Sequence, residues 1–518
     1  MMNTNIDGTT EVPLSVSNLK VYFLTQDGVS KVITRLNFSL RESEILGIFG
    51  ESGSGKTVVS NSIIDLLMEP GYVVGGSVKI NGFNVYRDVK SLAKFEASIA
   101  SGKKRKIGET LIREQERIMQ KIRGHSITLV PENAFRSLNP GLKLKDHMVY
   151  TVLSRNAAGI CGSIIKREKA SLQDVEALIE LVQQQPDIAG RNRLIGVWLT
   201  ENAIFNNRSL IFNVFENSTD QENLHEQIFD IISKEKKGTD VSEIENVRNT
   251  ILLELQKNKL SLDIIMANDE KDTELKADLE RELQSVELKL KSSTSPKDLV
   301  RSILNSTKYE HIREVALSYC YQVLRELGID DPEKIADLYP DDVPVVIRQK
   351  MVIAMAFSVD SGIIVLDEPT SSYDVNTKLK ILSFIREQHR RKKELSIVIF
   401  SKDLTVLNSI SDRLLVMYAG NIVEEGTPET IVSDSKHPFT SSVINTFSAA
   451  ERVTEKSDKL EFTLGFSPDL TDPPKGCRFH PRCKFRMDIC SLKKPLLGPL
   501  TEGHNVACFL YSEQVEED

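Results

Sequence analysis

The sequence predicts an α/β protein in which a nucleotide-binding domain of the phosphate-loop kind is split by an enlarged helical insertion and followed by a cysteine-rich module. Three observations predict it. Short apolar runs alternate with helical ones near both ends of the chain, the pattern of a mostly parallel sheet. Gly50–Thr57 sets a glycine-rich loop between an apolar strand and a helix. Long segments rich in Glu, Lys, Leu and Ile, without glycine punctuation, fill the middle. At 518 residues the chain exceeds one average domain, and 40% apolar with 27% charged residues is ordinary globular usage. A net charge of −8 gives no global attraction to nucleic acid, so no such partner is expected. No run approaches the roughly 20 apolar residues that span a bilayer. Met351–Phe357 is cut off by Asp360, and the start of the chain lacks the basic and apolar regions of a secretory signal, so a cytosolic chain is expected.

From the N-terminus, LSVSNLKVYFL, KVITRLNFSL and EILGIF read as strands separated by the polar turns QDG and RES, and GGSVKINGFNV as a further strand and turn. KSLAKFEASIASGKKRKIGETLIREQERIMQKIRGH has a helical period with a basic break at GKKRK, which predicts a helix, an exposed loop and a second helix. The following long segments read as a solvated helical insertion, with DTELKADLERELQSVELKLK as one arm of a helical hairpin. From Pro340 the earlier pattern returns: the helical run RQKMVIAMAF, the strand GIIVLDEPT, the helix KLKILSFIREQHRRKKE, the strand LSIVIF and the pair RLLVMYAGNIVEEG. The expected boundaries are 12–153 and 317–445 for the two parts of the nucleotide-binding core, 154–316 for the helical subdomain, and 446–518 for the cysteine module, which shows little regular structure of its own.

Gly50, Glu51, Ser52, Gly53, Ser54, Gly55, Lys56 and Thr57 satisfy G-x-x-x-x-G-K-[ST] directly after EILGIF and before VVSNSIIDLLM. Glycines let successive backbone N–H groups turn inward around an anion, Lys56 reaches the outer phosphates, and the Thr57 hydroxyl serves Mg²⁺. Ile363–Glu368 is the second half of such a site: four apolar residues of a buried strand ending in two carboxylates, where ligands meet an open α/β sheet. Asp367 would hold Mg²⁺, and Glu368 could polarise the attacking water as general base.

LDEPTSSYD resembles the Walker B and D-loop segments of the ABC ATPases. ESGSGKT, RSLNP, RQKMVIAMAF and the ending GCRFHPRCKFRMDIC with HNVAC look like the oligopeptide/dipeptide importer branch, and more like its D-type ATPase subunit. The resemblance implies an ABC-type fold and an ATP-binding subunit that couples ATP binding and hydrolysis to uptake of oligopeptides. It further implies a peripheral position on the cytoplasmic face of the cell membrane, two transmembrane permease subunits, an extracellular peptide-binding protein, and a second ABC ATPase subunit closing head to tail around two ATP molecules. By the same resemblance Asp374 is the D-loop aspartate, and Tyr22 or Phe23 stacks on adenine.

Three positions depart from that family's pattern. Glu132 stands where the family has the Q-loop glutamine, adding negative charge beside metal and phosphate. Val343-Pro344-Val345-Val346-Ile347 replaces the serine-glycine signature that caps the ATP of the opposite subunit. Proline has no N–H to donate and valine blocks close approach. Lys402 replaces the switch histidine and brings a fixed positive charge without imidazole's dual donor and acceptor role; it is expected to act as a charge clamp on phosphate or on Glu368. A heterodimer with a partner bearing an intact signature is therefore expected, the alternative being a non-hydrolysing structural or regulatory nucleotide-binding subunit. Finally, Cys477, Cys483, Cys490 and Cys508 offer four soft ligands in a reducing compartment. The resemblance favours a [4Fe-4S] cluster, with Zn²⁺ as the alternative.

Overall fold

The computed structural model describes residues 12–26, 28–86, 109–205, 207–217, 223–236, 238–291, 303, 309–371, 373–452 and 468–512. The helix and basic loop expected from Lys90 through the GKKRK break lie outside them. The chain divides into two compact units, Met1–Glu132 with Ser361–Asp518, and Asn133–Asp360.

The first unit holds twelve strands among its described residues: β1 (Leu14–Thr25), β2 (Gly28–Leu40), β3 (Ile45–Gly50), β4 (Gly71–Ile80), β5 (Phe83–Asn84), β6 (Ile127–Val130), β7 (Ile363–Asp367), β8 (Ser396–Ser401), β9 (Arg413–Tyr418), β10 (Asn421–Gly426), β11 (Gly498–Thr501) and β12 (His504–Val506). β2, β1, β4 and β5 form an antiparallel sheet in that order, with Leu14 opposite both Leu40 and Ile80. The larger sheet runs β11-β12-β10-β9-β3-β8-β7-β6. Its five strands from β9 to β6 pair in parallel. β3, β7 and β8 are buried at every residue, which is why they read as continuous apolar runs instead of alternating ones. β3 lies between β8 and β9, which follow it by more than 300 residues, so the loop after β3 opens beside their ends, with β7 one strand further on.

Two features differ from expectation. ITLV, to which the sequence assigns no strand, is the edge strand β6. The cysteine tail, expected to have little regular structure, contributes the hairpin β11–β12, which extends the large sheet through Glu424 opposite Val506 and Glu425 opposite Asn505. Those strands are four and three residues long and carry no period that a sequence reading could use. His504 Nε2 bonds the fully buried Glu424 Oε1 at 2.8 Å, and the same carboxylate accepts from the Lys436 and His437 amides at 2.6 and 3.1 Å.

The second unit is helical. Leu144–Lys169 bends at Asn156, whose φ and ψ are −127° and 23°. Leu172–Gln183 opens with a capping box in which Ser171 and Asp174 satisfy each other's backbone, and Asp187 caps Ile188–Glu201. With Arg208–Asn217 and Leu224–Ser233 these helices enclose a core of their own around Val175, Leu178, Leu199, Ile211 and Ile228. Val241–Asp269 and Thr273–Lys291 form the helical hairpin that the amphipathic spacing predicts, tied by Lys257–Glu287 at 3.1 Å and Gln256–Glu282 at 3.0 Å. Among the described residues no helix is long and apolar enough to cross a membrane.

Candidate nucleotide site

The site starts from the turn that ends β3. Gly53 and Gly55 have φ of +79° and +101°, a left-handed backbone that glycine alone adopts without strain. A Cβ on Gly55 would also lie 2.9 Å from Ile33 Cδ1. The chain then enters the helix Lys56–Ile63, which buries Val59 and Ile63. Ser54 N donates to Glu51 O at 3.1 Å, closing the loop. Lys56 Nζ reaches back inside it, donating to Gly50 O at 2.6 Å and Glu51 O at 3.2 Å.

The end of β7 meets this loop. Glu368 Oε1 lies 3.5 Å from Lys56 Nζ, with both side chains almost fully buried. Burial lowers the Lys56 pKa and the Glu368 carboxylate opposes that shift. Glu368 is held at φ +49°, its amide donating to Phe400 O at 2.9 Å and its Oε2 accepting from Ser401 Oγ at 3.4 Å. Asp367 Oδ2 accepts from Ser60 Oγ at 2.9 Å. Burial raises the Asp367 carboxyl to about 6, against the lowering effect of hydrogen bonds from Ser60 and Thr57. Its Oδ1 is buried without a hydrogen-bond partner among the described residues, the position of a lone pair that a hard cation would satisfy. Glu132 lies close enough to act electrostatically on both Lys56 and Asp367.

Other expected residues fall elsewhere. Lys402 is exposed just past β8, and the ammonium that pairs with Glu368 is that of Lys56. Asp374 caps the helix Val375–Arg391, accepting from Thr377 N at 3.0 Å and Thr377 Oγ1 at 2.7 Å; these bonds hold its carboxyl below the ordinary carboxylate range. Tyr22 is buried against Val74, Leu24 and Tyr72, while the Phe23 ring lies on Gly71, where a Cβ would stand 2.8 Å away. In the helical unit, Pro344 precedes the helix Val345–Phe357 and caps it with no side-chain bond. The four cysteines of the tail are free thiols lining one cavity of about 20 Å³ with Phe479 and His480. Burial raises Cys477 to about 12 and Cys508 to about 11, and the neighbouring thiols add to both shifts. Among the described residues no group of three or more His, Cys, Asp or Glu is arranged to hold a metal ion.

Sequence reasoning missed Ser60, Ser401 and Arg482. Ser60 follows the loop lysine by one helical turn, but nothing local marks its partner Asp367, 307 residues on. Arg482 is a cation of the tail whose Nη1 lies 3.3 Å from Glu51 Oε2 in the phosphate loop.

Residues 33–195 match the family model described as ABC transporter, and residues 423–490 match the one described as oligopeptide/dipeptide transporter, C-terminal region. The dipeptide transport ATP-binding protein DppD of Caldanaerobacter subterraneus is 35% identical over 183 residues, covering 35% of this chain and 55% of that protein. The oligopeptide transport ATP-binding protein OppD of Bacillus subtilis is 35% identical over 206 residues, covering 39% of this chain and 56% of that protein. This chain thus spans a little over half the length of these relatives. The dimeric structure of MJ0796, a bacterial ABC transporter cassette, aligns over 80% of this chain and 98% of its own at 13% identity and a TM-score of 0.37. The phosphate loop and its helix fall within the first match and Cys477, Cys483 and Cys490 within the second: over those segments the chain is similar to the ABC transporter family and to its oligopeptide/dipeptide transporter C-terminal region.

Proposed function

We propose that this chain is the ATP-binding subunit of an ABC importer, coupling ATP binding and hydrolysis to the uptake of oligopeptides. The observation that carries the reading is the joint presence, on one chain, of the buried Lys56, Asp367 and Glu368 cluster and the oligopeptide/dipeptide C-terminal region. In this reading Gly50–Thr57 cradles the phosphates, Thr57 and Asp367 hold Mg²⁺, and Glu368 orients the attacking water. Glu368 is paired with Lys56, and ATP would draw Lys56 toward its outer phosphates and free the carboxylate. Tyr22 or Phe23 would contact the base, Asp374 would face the partner ATPase, and Glu132 and Lys402 would stand in the sensor positions. Two permeases, an extracellular peptide-binding protein and a second ATPase subunit complete the assembly on the cytoplasmic face of the membrane.

The reading is tested by reconstituting the chain with its permeases and partner ATPase in vesicles and following ATP-driven uptake of a labelled peptide. Lys56→Ala is expected to abolish nucleotide binding and uptake; unchanged affinity would refute the phosphate-loop role. A second reading, a nucleotide-binding subunit without turnover of its own, is favoured by Pro344, which lacks the N–H needed at the start of the signature helix. Glu368→Gln separates the two: a large loss of ATPase supports hydrolysis here, and an unchanged rate supports the structural role. Lys402→His is expected to raise turnover if Lys402 clamps charge, and an unchanged rate and affinity would remove that role.

For the tail, the proposed group is a [4Fe-4S] cluster on Cys477, Cys483, Cys490 and Cys508, with Zn²⁺ as the alternative. The four thiols share a cavity and have the donor chemistry. Bound, the group would crosslink four points of the tail. Iron and sulfide in anaerobically purified protein would support the cluster, stoichiometric zinc would replace it, and absence of metal would refute both.

A further inference from the structure

The tail touches the nucleotide site at a residue outside every role described above. Arg482 closes the short turn His480–Arg482, between Cys477 and Cys483. Its guanidinium lies 5.7 Å from the centroid of the Tyr418 ring and 5.8 Å from that of Phe479, and Nη1 bonds the Tyr418 hydroxyl at 3.2 Å. From this seat the same Nη1 reaches Glu51 Oε2 at 3.3 Å. The arginine side chain is 9% exposed and the glutamate 35% exposed. A second tie runs beside it. Arg478 donates to the carbonyls of Ala419, Val32 and Lys31, and the amide of Gly420 donates to Ser54 O in the phosphate loop at 2.8 Å.

Glu51 is an odd residue for its place. The loop exists to attract a polyanion, and a carboxylate within it repels one at distances short compared with the screening length, about 8 Å at physiological salt. Its backbone carbonyl is also one of the two that hold Lys56 Nζ, so whatever fixes Glu51 fixes the lysine's resting position. We propose that Arg482 is a positioning residue of the nucleotide site: from the turn between Cys477 and Cys483 it holds and neutralises Glu51, and so sets the affinity of the phosphate loop for ATP. The inference rests on the reading of Gly50–Thr57 as the ATP cradle. The arginine suits the task because its guanidinium lies near both rings while still presenting N–H groups to the carboxylate.

The test is titration of the full chain with Mg-ATP at two salt concentrations. Arg482→Gln is expected to weaken binding about fivefold, the scale of a partly exposed ion pair. Adding Glu51→Gln to that variant is expected to restore affinity to within about twofold of the starting protein, because the uncompensated charge is gone. Arg482→Lys should retain most of the affinity. Glu51→Gln alone should bind ATP more tightly, with a steeper fall as salt rises, since the arginine's charge then faces the phosphates without the Glu51 carboxylate beside it. Unchanged affinity in Arg482→Gln overturns the proposal, as does a loss that Glu51→Gln fails to rescue, which would mark Arg482 as ring packing alone. If Arg482→Gln does not fold, Glu51→Gln decides: weaker binding, or an unaltered salt dependence, overturns it. Lys56→Ala run alongside separates the two levels, because equal binding by Lys56→Ala and the unsubstituted chain refutes the ATP cradle itself.

Discussion

Asp367 makes the site's chemistry depend on pH in a predictable direction. Its carboxyl titrates at about 6 because burial disfavours the anion, so the folded protein keeps the proton where a free aspartate has lost it. Between the ordinary 3.8 and about 6 the folded state binds more protons than the unfolded one, and this group therefore makes unfolding easier as pH rises through that window. In the proposed role of Asp367, Mg²⁺ would displace the same proton. The Mg²⁺-dependent part of ATP affinity is expected to climb with pH, by at most about tenfold per unit below the titration point, and to level off about one unit above it. Titrations on Asp367→Asn should lose both the Mg²⁺ effect and its slope; a slope that survives the substitution would assign it to another group. Gly50–Thr57 and the Asp367–Glu368 pair could be read from the sequence because each is a local pattern with a local mechanism. Ser60 and Arg482 could not, because their partners stand 307 and 431 residues away and only the strand order brings them close.

At the scale of elements, legibility followed burial. β3, β7 and β8 are covered on both faces and announce themselves as unbroken apolar runs. β6 is four residues at a sheet edge with two of them only half-buried, and nothing in ITLV separates it from an approach to a loop. The insertion was readable as helices from amphipathic period, but not the packing of its first helices around a core of their own, since period reports which face is buried and not against what. That core yields a prediction. Ile228 is fully buried in it, so Ile228→Ala should lower stability by about 2–5 kcal/mol, seen as a lower thermal midpoint. ATP affinity of the folded fraction, which depends on the other unit, should stay the same. In the signature segment, Pro344 removes an N–H at the start of Val345–Phe357 and Val345 and Val346 add bulk there. Pro344→Ser with Val345→Gly and Val346→Gly is expected to raise the ATPase rate of the assembled complex several-fold; an unaltered rate would mean that this segment does not limit turnover.

At the scale of the whole molecule, the order of strands does what no single motif does. It takes a loop near residue 50, a carboxylate pair near 367 and a tail beyond 470 and sets them on one sheet. Composition changes in the middle of the chain, by the loss of glycine and the rise of Glu and Lys, while strand order left no trace in the sequence. The hairpin β11–β12 shows what the order achieves at the sheet's margin. Without it β10 would end the sheet, offering Ile422 and Val423 and a row of unpaired backbone groups to any passing strand. β12 occupies that row, with Ala507 N donating to Val423 O at 2.9 Å. The outermost strand then left is β11, four residues long and carrying Pro499, which has no N–H to extend the ladder. A chain ending before Gly498 should therefore self-associate in a concentration-dependent way, visible as rising light scattering, and Val423→Lys in that shortened chain should suppress it; a monodisperse shortened chain would show that the margin needs no cover. The tail, in these terms, is a guard against aggregation as well as a neighbour of the nucleotide.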